Sequence, residues 1–292
     1  MSSFDWGYFF RFLGGMLVLY WVVVLLAVFI RSRLEGRDPA AWFGEGRGFS
    51  GYLAAALAGA VTPFCSCTTV PVFVVLLESE LPLGCAVSFL IASPTVNPPA
   101  VALFVALFGW RLTLLYVGAC LAIAVLGGIL LSHSGLRRYL IEVLYLPEDG
   151  PTRFTLGEVN RQYAGMLRSL LPVLVVAAVL AALLKGWMPA RELLVASSNE
   201  PVLAIPAVVL LGGLLYADLG MLLPIGQLLL SAGADTGVVF SFMMAASGVG
   251  VPSFLLLSRV FKKELLFLYA LTVYVLFTAA GLAISWAAPW GV

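Results

Sequence analysis

Residues 62–71 read Thr62-Pro63-Phe64-Cys65-Ser66-Cys67-Thr68-Thr69-Val70-Pro71, and they lie in a stretch with no charged side chain between Arg47 and Glu78. An uncharged apolar run of that length spans a hydrocarbon core of about 30 Å. Its middle, however, holds two prolines, two thiols and several hydroxyls. A helix facing lipid neither needs such groups nor easily tolerates them. The stretch therefore predicts a broken helix lining a site.

The surrounding composition sets the class. Of 292 residues, 62% are hydrophobic and 11% charged, with a mean hydropathy of +1.06. Apolar blocks run approximately over 8–30, 52–77, 83–108, 112–131, 166–184, 202–230, 237–258 and 265–288. This is the pattern of an all-α, multi-pass integral membrane protein, expected in the inner (cytoplasmic) membrane. A net charge of +1 without a basic block argues against a nucleic-acid partner. His133 is the only histidine, so a multi-histidine metal site is excluded. No P-loop and no Ser-His-Asp constellation is found, so the expectation is a protein that is not an enzyme and holds no cofactor. The start, Met1-Ser2-Ser3-Phe4-Asp5, lacks a basic n-region and a small-residue cleavage site, so the first block reads as a retained anchor.

The two halves resemble each other at a constant offset of 153 residues. The offset pairs Pro71 with Pro224, Gly84 with Gly237, Ser88-Phe89 with Ser241-Phe242, Pro99 with Pro252 and Tyr116 with Tyr269. A fixed offset is the signature of duplication. The organisation expected is a first transmembrane repeat at 1–131, a cytoplasmic connector at 132–165 and a second repeat at 166–292.

Two topologies fit: eight plain transmembrane helices, or repeats in which one block is a re-entrant hairpin. If all eight blocks cross, the better orientation places 10 of the 16 Lys and Arg inside. If the third block of each half turns back at Ser93-Pro94-Thr95-Val96-Asn97-Pro98-Pro99 and Ala246-Ser247-Gly248-Val249-Gly250-Val251-Pro252, the number inside rises to 12. The positive-inside rule favours the second arrangement. Each repeat then has about three crossing helices plus a broken-helix hairpin, and the odd number of crossings makes the repeats inverted.

Several residues in these stretches carry chemistry. On unwound backbone between Pro63 and Pro71, Cys65 and Cys67 face the same way, whereas on a regular helix they diverge. Paired thiols beside Ser66 suit a soft partner such as Cu(I), trivalent arsenic or antimony, or sulfane sulfur. Packing of two small side chains is the plainer alternative. Asp218, opposite Cys65 in the repeat, is an intramembrane carboxylate and a candidate for proton coupling; capping of a half-helix is its other reading. At the presumed tips, Thr95, Asn97, Pro98, Ser247, Gly248, Gly250 and Pro252 supply hydroxyls, an amide, close backbone approach and half-helix N-termini whose N–H groups would favour an electron-rich solute. Mutual packing of the tips fits the small residues equally well. Cys85 and Cys120 lack polar neighbours in sequence and read as packing residues.

In the elements Thr62-Pro63-Phe64-Cys65-Ser66-Cys67, Ser93-Pro94-Thr95-Val96-Asn97-Pro98 and Ser247-Gly248-Val249-Gly250-Val251-Pro252-Ser253, the chain resembles the YraQ/ArsP-type permeases. The resemblance covers essentially the whole chain and implies a permease, with trivalent organoarsenicals as the solutes of one branch. It carries a metalloid-binding role onto Cys65 and Cys67 only. The expectation is a secondary permease exporting a small thiophilic solute, with the lipid bilayer as surroundings; a homo-oligomer is compatible with the sequence. A permease for a sulfur-containing anion such as thiosulfate or sulfide, and a membrane thiol-disulfide oxidoreductase, are the alternatives.

Overall fold

The computed structural model describes residues 48–62, 66–78, 81–132, 140, 157, 201–215, 217, 219–231 and 233–287. The first apolar block, the block at 166–184, nearly all of the connector and residues Pro63, Phe64, Cys65 and Asp218 lie outside these. The described residues are helical in the order α1 (Phe49–Val61), α2 (Ser66–Glu78), α3 (Leu83–Thr95), α4 (Pro98–Ser132), α5 (Pro201–Leu214), α6 (Leu219–Ser231), α7 (Thr236–Gly248), α8 (Val251–Leu257) and α9 (Lys263–Ala287). Gly109, at φ 77 and ψ 169, divides α4 into α4a (98–108) and α4b (110–132). That conformation suits a residue without a Cβ, so the chain reverses there within one residue. With 153 added, the boundaries of α2, α3 and α4b fall on or close to those of α6, α7 and α9.

Local chemistry sets the interruptions. Helix α3 ends because Pro98 disfavours helical backbone at the residue before it and Pro98 and Pro99 offer no N–H to continue the ladder. Val96 is already extended at φ −136 and ψ 117. Helix α4a then starts on its own cap: Asn97 Oδ1 accepts from Ala100 N at 2.8 Å and Asn97 O from Val101 N at 2.9 Å. In the second half, Asp235 Oδ1 caps α7 by accepting from Val238 N at 3.1 Å, and Gly250, extended at φ −87 and ψ 162, precedes α8.

Contacts between residues of known position give the path of the chain. A β-carbon on Gly84 would meet Gly128 O and Ser132, and one on Gly127 would meet Ile91. Ascending positions in α3 thus face descending positions in α4b, and the two are antiparallel. Phe104 of α4a stacks on Tyr116 at 4.6 Å, further toward the α4b start. Helix α4a therefore continues the direction of α3, and 83–108 forms one interrupted rod of about 39 Å at 1.5 Å per residue. Helix α4b returns along it.

Helix α1 runs parallel to α3: Gly84 meets Tyr52, while Gly59 meets Phe89, Ala92 and Ser93. Helix α2 comes back, since Leu81 N donates to Leu76 O at 3.1 Å at its end and Thr69 reaches Ser93 near its start. With 13 residues each, α1 and α2 make a hairpin about 20 Å deep whose apex stands beside the break in the α3–α4a rod. The second half repeats this. Gly237 meets Gly281 O and Ser285, Gly248 meets Phe277, and Gly212 meets Phe242, Ala245 and Ala246. Small residues let the rod and its return span approach closely at the same place in both halves.

The halves run in opposite senses. Phe73 of α2 packs edge-on to Phe261, in the turn between α8 and α9, at 5.5 Å. Reciprocally, Gly226 of α6 lies against Phe108 at the end of α4a, and Gln227 Nε2 donates to Leu107 O at 3.4 Å. Each hairpin thus covers the end at which the other half's rod turns back. The core is the buried apolar set these elements share, centred on α3, α7 and the inner faces of α4 and α9.

The structure corrects one sequence expectation. The third block of each half is not the hairpin: its Pro- and Gly-rich centre interrupts a rod that continues to the far end. The hairpin is formed by the second block of each half, whose arms are α1 with α2 and α5 with α6. These four blocks are each interrupted and none is one plain continuous helix.

Two outcomes follow. Single cysteines placed at 50 and 262, in a background without native thiols, should label with an impermeant maleimide from one face of the membrane, and those at 111 and 231 from the other. Labelling of 50 and 111 from the same face would refute this path. Asn97→Ala should lower stability by about 1 kcal/mol through loss of the α4a cap, read as a drop in detergent melting temperature that Asn97→Asp largely avoids.

Candidate functional site

The interruptions of the two rods and the apices of the two hairpins converge at mid-depth. Ser93, in the last turn of α3, is fully buried. Its Oγ lies 3.2 Å from Thr62 Oγ1, the cap of α1, and accepts from Thr69 Oγ1 of α2 at 3.4 Å. Thr62 also donates to Gly59 O at 2.7 Å. One serine hydroxyl therefore ties together both arms of the hairpin whose connection contains Pro63-Phe64-Cys65. The equivalent position in the second half is Ala246, whose carbonyl accepts from Ala217 N at the other apex at 3.2 Å. The two junctions hold the same place by different chemistry, side chains in one and backbone in the other.

Thr95 lies two residues past Ser93, on nearly the opposite face of α3. Its methyl group abuts Gly248, its own partner under the 153-residue offset. The approximate symmetry axis of the molecule thus passes between Thr95 and Gly248. Thr95 Oγ1 donates to Ile91 O at 2.8 Å, with Ala92 O at 3.1 Å, and Ser247 Oγ donates to Met243 O at 2.7 Å. Behind this contact lie Tyr116 and Cys120 of α4b, with Ser247 beside the Tyr116 hydroxyl and Thr95 beside the Cys120 thiol.

The sequence-derived candidates fall into distinct groups. Pro63, Cys65 and Asp218 lie outside the described residues, and Ser66 and Cys67 open α2 as backbone. Thr95, Ser247, Gly248 and Gly250 are buried at the junction. Pro98 is an exposed first residue of α4a, and Pro252 lies in the first turn of α8. The oxygen of Asn97 is engaged as a cap. That cap also corrects the expectation of free N–H groups at the start of α4a. Pro98 and Pro99 have none, and those of Ala100 and Val101 are taken up by Asn97.

Sequence reasoning passed over the clasp formed by Thr62 and Thr69, and it assigned Cys120 to packing. The available signal was spacing: Tyr116 and Cys120 stand one turn apart on one helix face, and Tyr116 is matched by Tyr269 in the duplication. Cys85 is buried in the core, as its apolar neighbours suggested.

Among the described residues, the junction contains hydroxyls, a thiol and backbone but no charge. The described Arg111, Asp235, Arg259, Lys262, Lys263 and Glu264 all lie at or near the ends of rods. No group of three or more His, Cys, Asp or Glu side chains is placed to hold a metal ion among the described residues. Such a junction accommodates a small, uncharged, polarisable solute more readily than an ion, whose desolvation needs a counter-charge.

Comparison with known proteins places this architecture. The chain is 24% identical over 249 residues to the UPF0718 protein YcgR of Bacillus subtilis (strain 168), with 81% of this chain and 82% of that one covered. It is 22% identical over 262 residues to the UPF0718 protein YraQ of Escherichia coli (strain K12), covering 85% and 72%. With the UPF0718 protein MJ0584 of Methanocaldococcus jannaschii the identity is 20% over 321 residues, covering 88% of each. No solved structure matches the chain. The ArsP_1 family, described as a predicted permease, matches residues 6–286. With nearly its whole length accounted for by that match and its helices apolar enough for a bilayer, this membrane protein belongs to the ArsP_1 predicted-permease family.

Proposed function

We propose that this protein is a secondary permease of the inner membrane that exports a small thiophilic solute, foremost a trivalent arsenical or a related metalloid acid. The observation that carries the reading is a junction at mid-depth whose described residues carry no charge. There Ser93, beside the break of a rod, holds Thr62 and Thr69 on either side of the sequence that contains Cys65, Ser66 and Cys67. Arsenic(III) acids are neutral near pH 7 and bind thiols by exchange. Each cysteine S–H would displace one As–OH, forming an As–S bond and releasing water, with no change of oxidation state. A monomethyl arsenical offers two such exchanges for two thiols.

In this reading the halves are inverted repeats. Each contributes three crossings and one re-entrant hairpin, and the hairpins meet the broken crossings where solute is held. Residues 31–51, 132–165 and 259–264 face the cytoplasm, in keeping with their Lys and Arg. Asp218 belongs to the second apex by sequence and is the candidate carrier of a coupling proton. Alternating access would come from rocking one repeat against the other; a homo-oligomer fits the same scheme.

A sulfur-containing anion is the second reading. It draws less support, because the start of α4a has no N–H left to receive negative charge. A thiol-disulfide oxidoreductase has only the nearby cysteines Cys65 and Cys67 in its favour.

The test is efflux of monomethyl and inorganic arsenic(III) from cells at matched membrane expression. Cys65→Ser and Cys67→Ser should each reduce monomethyl-arsenic(III) efflux by more than about tenfold, a loss of some 1.4 kcal/mol or more, without changing the melting temperature by more than a few degrees. Ser93→Ala, which opens the clasp, should reduce both efflux and stability. Absence of efflux by the wild type, with uptake of labelled thiosulfate into proteoliposomes, would replace the metalloid by the sulfur anion.

A further inference from the structure

Tyr116 is 1% exposed, and among the described residues no group meets its hydroxyl in hydrogen-bonding geometry, although Ser247 and Cys120 stand beside it. The ring alone does not account for a tyrosine here. It packs against Phe104 at 4.6 Å and edge-on against Phe240 at 5.4 Å, contacts a phenylalanine would make equally well. An unpaired hydroxyl in such a place is a net cost to the fold. Its nearest polar neighbours stand beside it without reaching bonding geometry. Ser247 directs its hydrogen to Met243 O and has only lone pairs left to offer, and the Cys120 thiol, one turn along the same helix, is a weak acceptor beside both Tyr116 and Thr95. One buried O–H donor and one soft sulfur thus lie side by side where the two broken rods touch.

We propose that Tyr116 and Cys120 form a second station for the solute, between the two rods. The phenol donates a hydrogen bond to an oxygen of the solute while the thiol faces its soft atom. This deepens the permease reading above and rests on it. The class of solute it takes is small and uncharged, with an acceptor oxygen attached to a soft centre, as in a hydroxyl-bearing arsenic(III) species. The station lies on the face of α3 opposite the Ser93 clasp, so a solute passing from hairpin apex to station moves from one face of the rod to the other at the break at 96–97. The Thr95–Gly248 contact closes it in this conformation, and it opens when the rods part.

The full-length protein in liposomes tests this by two readouts. Wild-type protein is treated with the membrane-permeant thiol reagent N-ethylmaleimide, with and without monomethyl arsenic(III), and peptide mass spectrometry locates the modified cysteines. Cys120 should be modified, and the arsenical should protect it. In parallel, Tyr116→Phe should raise the KM for monomethyl arsenic(III) transport about five- to tenfold, the worth of one hydrogen bond, with the maximal rate within about twofold of wild type. Its melting temperature should hold or rise, because an unpaired hydroxyl has been removed; a purely structural tyrosine would leave KM unmoved. Wild-type KM in Tyr116→Phe, or a Cys120 that stays unmodified while Cys65 or Cys67 reacts, overturns the station and leaves the permease reading intact. Arsenical protection of Cys120 without protection of Cys65 or Cys67 retains the station and rejects the apex thiols as the solute site. No protection at any cysteine rejects both.

Discussion

In a hydrocarbon core every backbone N–H and C=O must find its partner within the protein, and the breaks in this molecule are built around that demand. At 96–97 the chain removes two donors by placing Pro98 and Pro99 first in α4a and covers the next two with Asn97. At the equivalent position of the second half the carbonyl of Ala246 is satisfied from outside its own helix, by Ala217 N of the hairpin apex. A break that would be untenable against lipid is thus stable against a hairpin tip. The same requirement brings the apices and the interrupted rods to one level, and so concentrates the unusual chemistry of the chain there.

Packing within each half differs from packing between the halves. Gly84 against Gly128 and Gly237 against Gly281 bring each rod so near its return span that a methyl group would not fit without displacement. Between the halves the contacts are made largely by side chains: Phe73 on Phe261, Phe240 on Phe104 and Tyr116, Gln227 Nε2 donating to Leu107 O, and the close approach of Thr95 to Gly248. Backbone thus meets backbone within each half, whereas side chains fill the seam between the halves.

Much of this was legible in the residues. The offset that pairs Gly84 with Gly237 and Tyr116 with Tyr269 foretold element boundaries that recur 153 residues apart, and Pro98-Pro99 foretold a break at membrane depth. What composition could not say was whether a break means a turn or an interruption. Proline and glycine stop a helix in either case, and direction afterwards is set by tertiary contacts such as Phe104 on Tyr116. Nor could the charge count decide. Residues 79–82 and 232–235, whose side of the membrane differs between the two hairpin placements, contain neither Lys nor Arg. The place of Tyr116 and Cys120 was hidden for a related reason: an i, i+4 pair on an apolar helix looks the same whether it faces core, lipid or a junction.

The duplicated halves differ most at the ends of their rods. After α4a the chain reverses at Gly109 alone, with φ 77 and open space around the missing side chain. After α8 it reverses over residues 258–262 and carries Arg259 and Lys262 on the way. The one-residue corner is exposed and its inner side touches nothing. The five-residue corner is tied down by hydrogen bonds from Arg259 N to Leu256 O and from Phe261 N to Leu257 O, and by the buried ring of Phe261 against Phe73. A pair of repeats that began as equals thus ends differently: one rod in a bare glycine bend, the other in a packed basic shoulder.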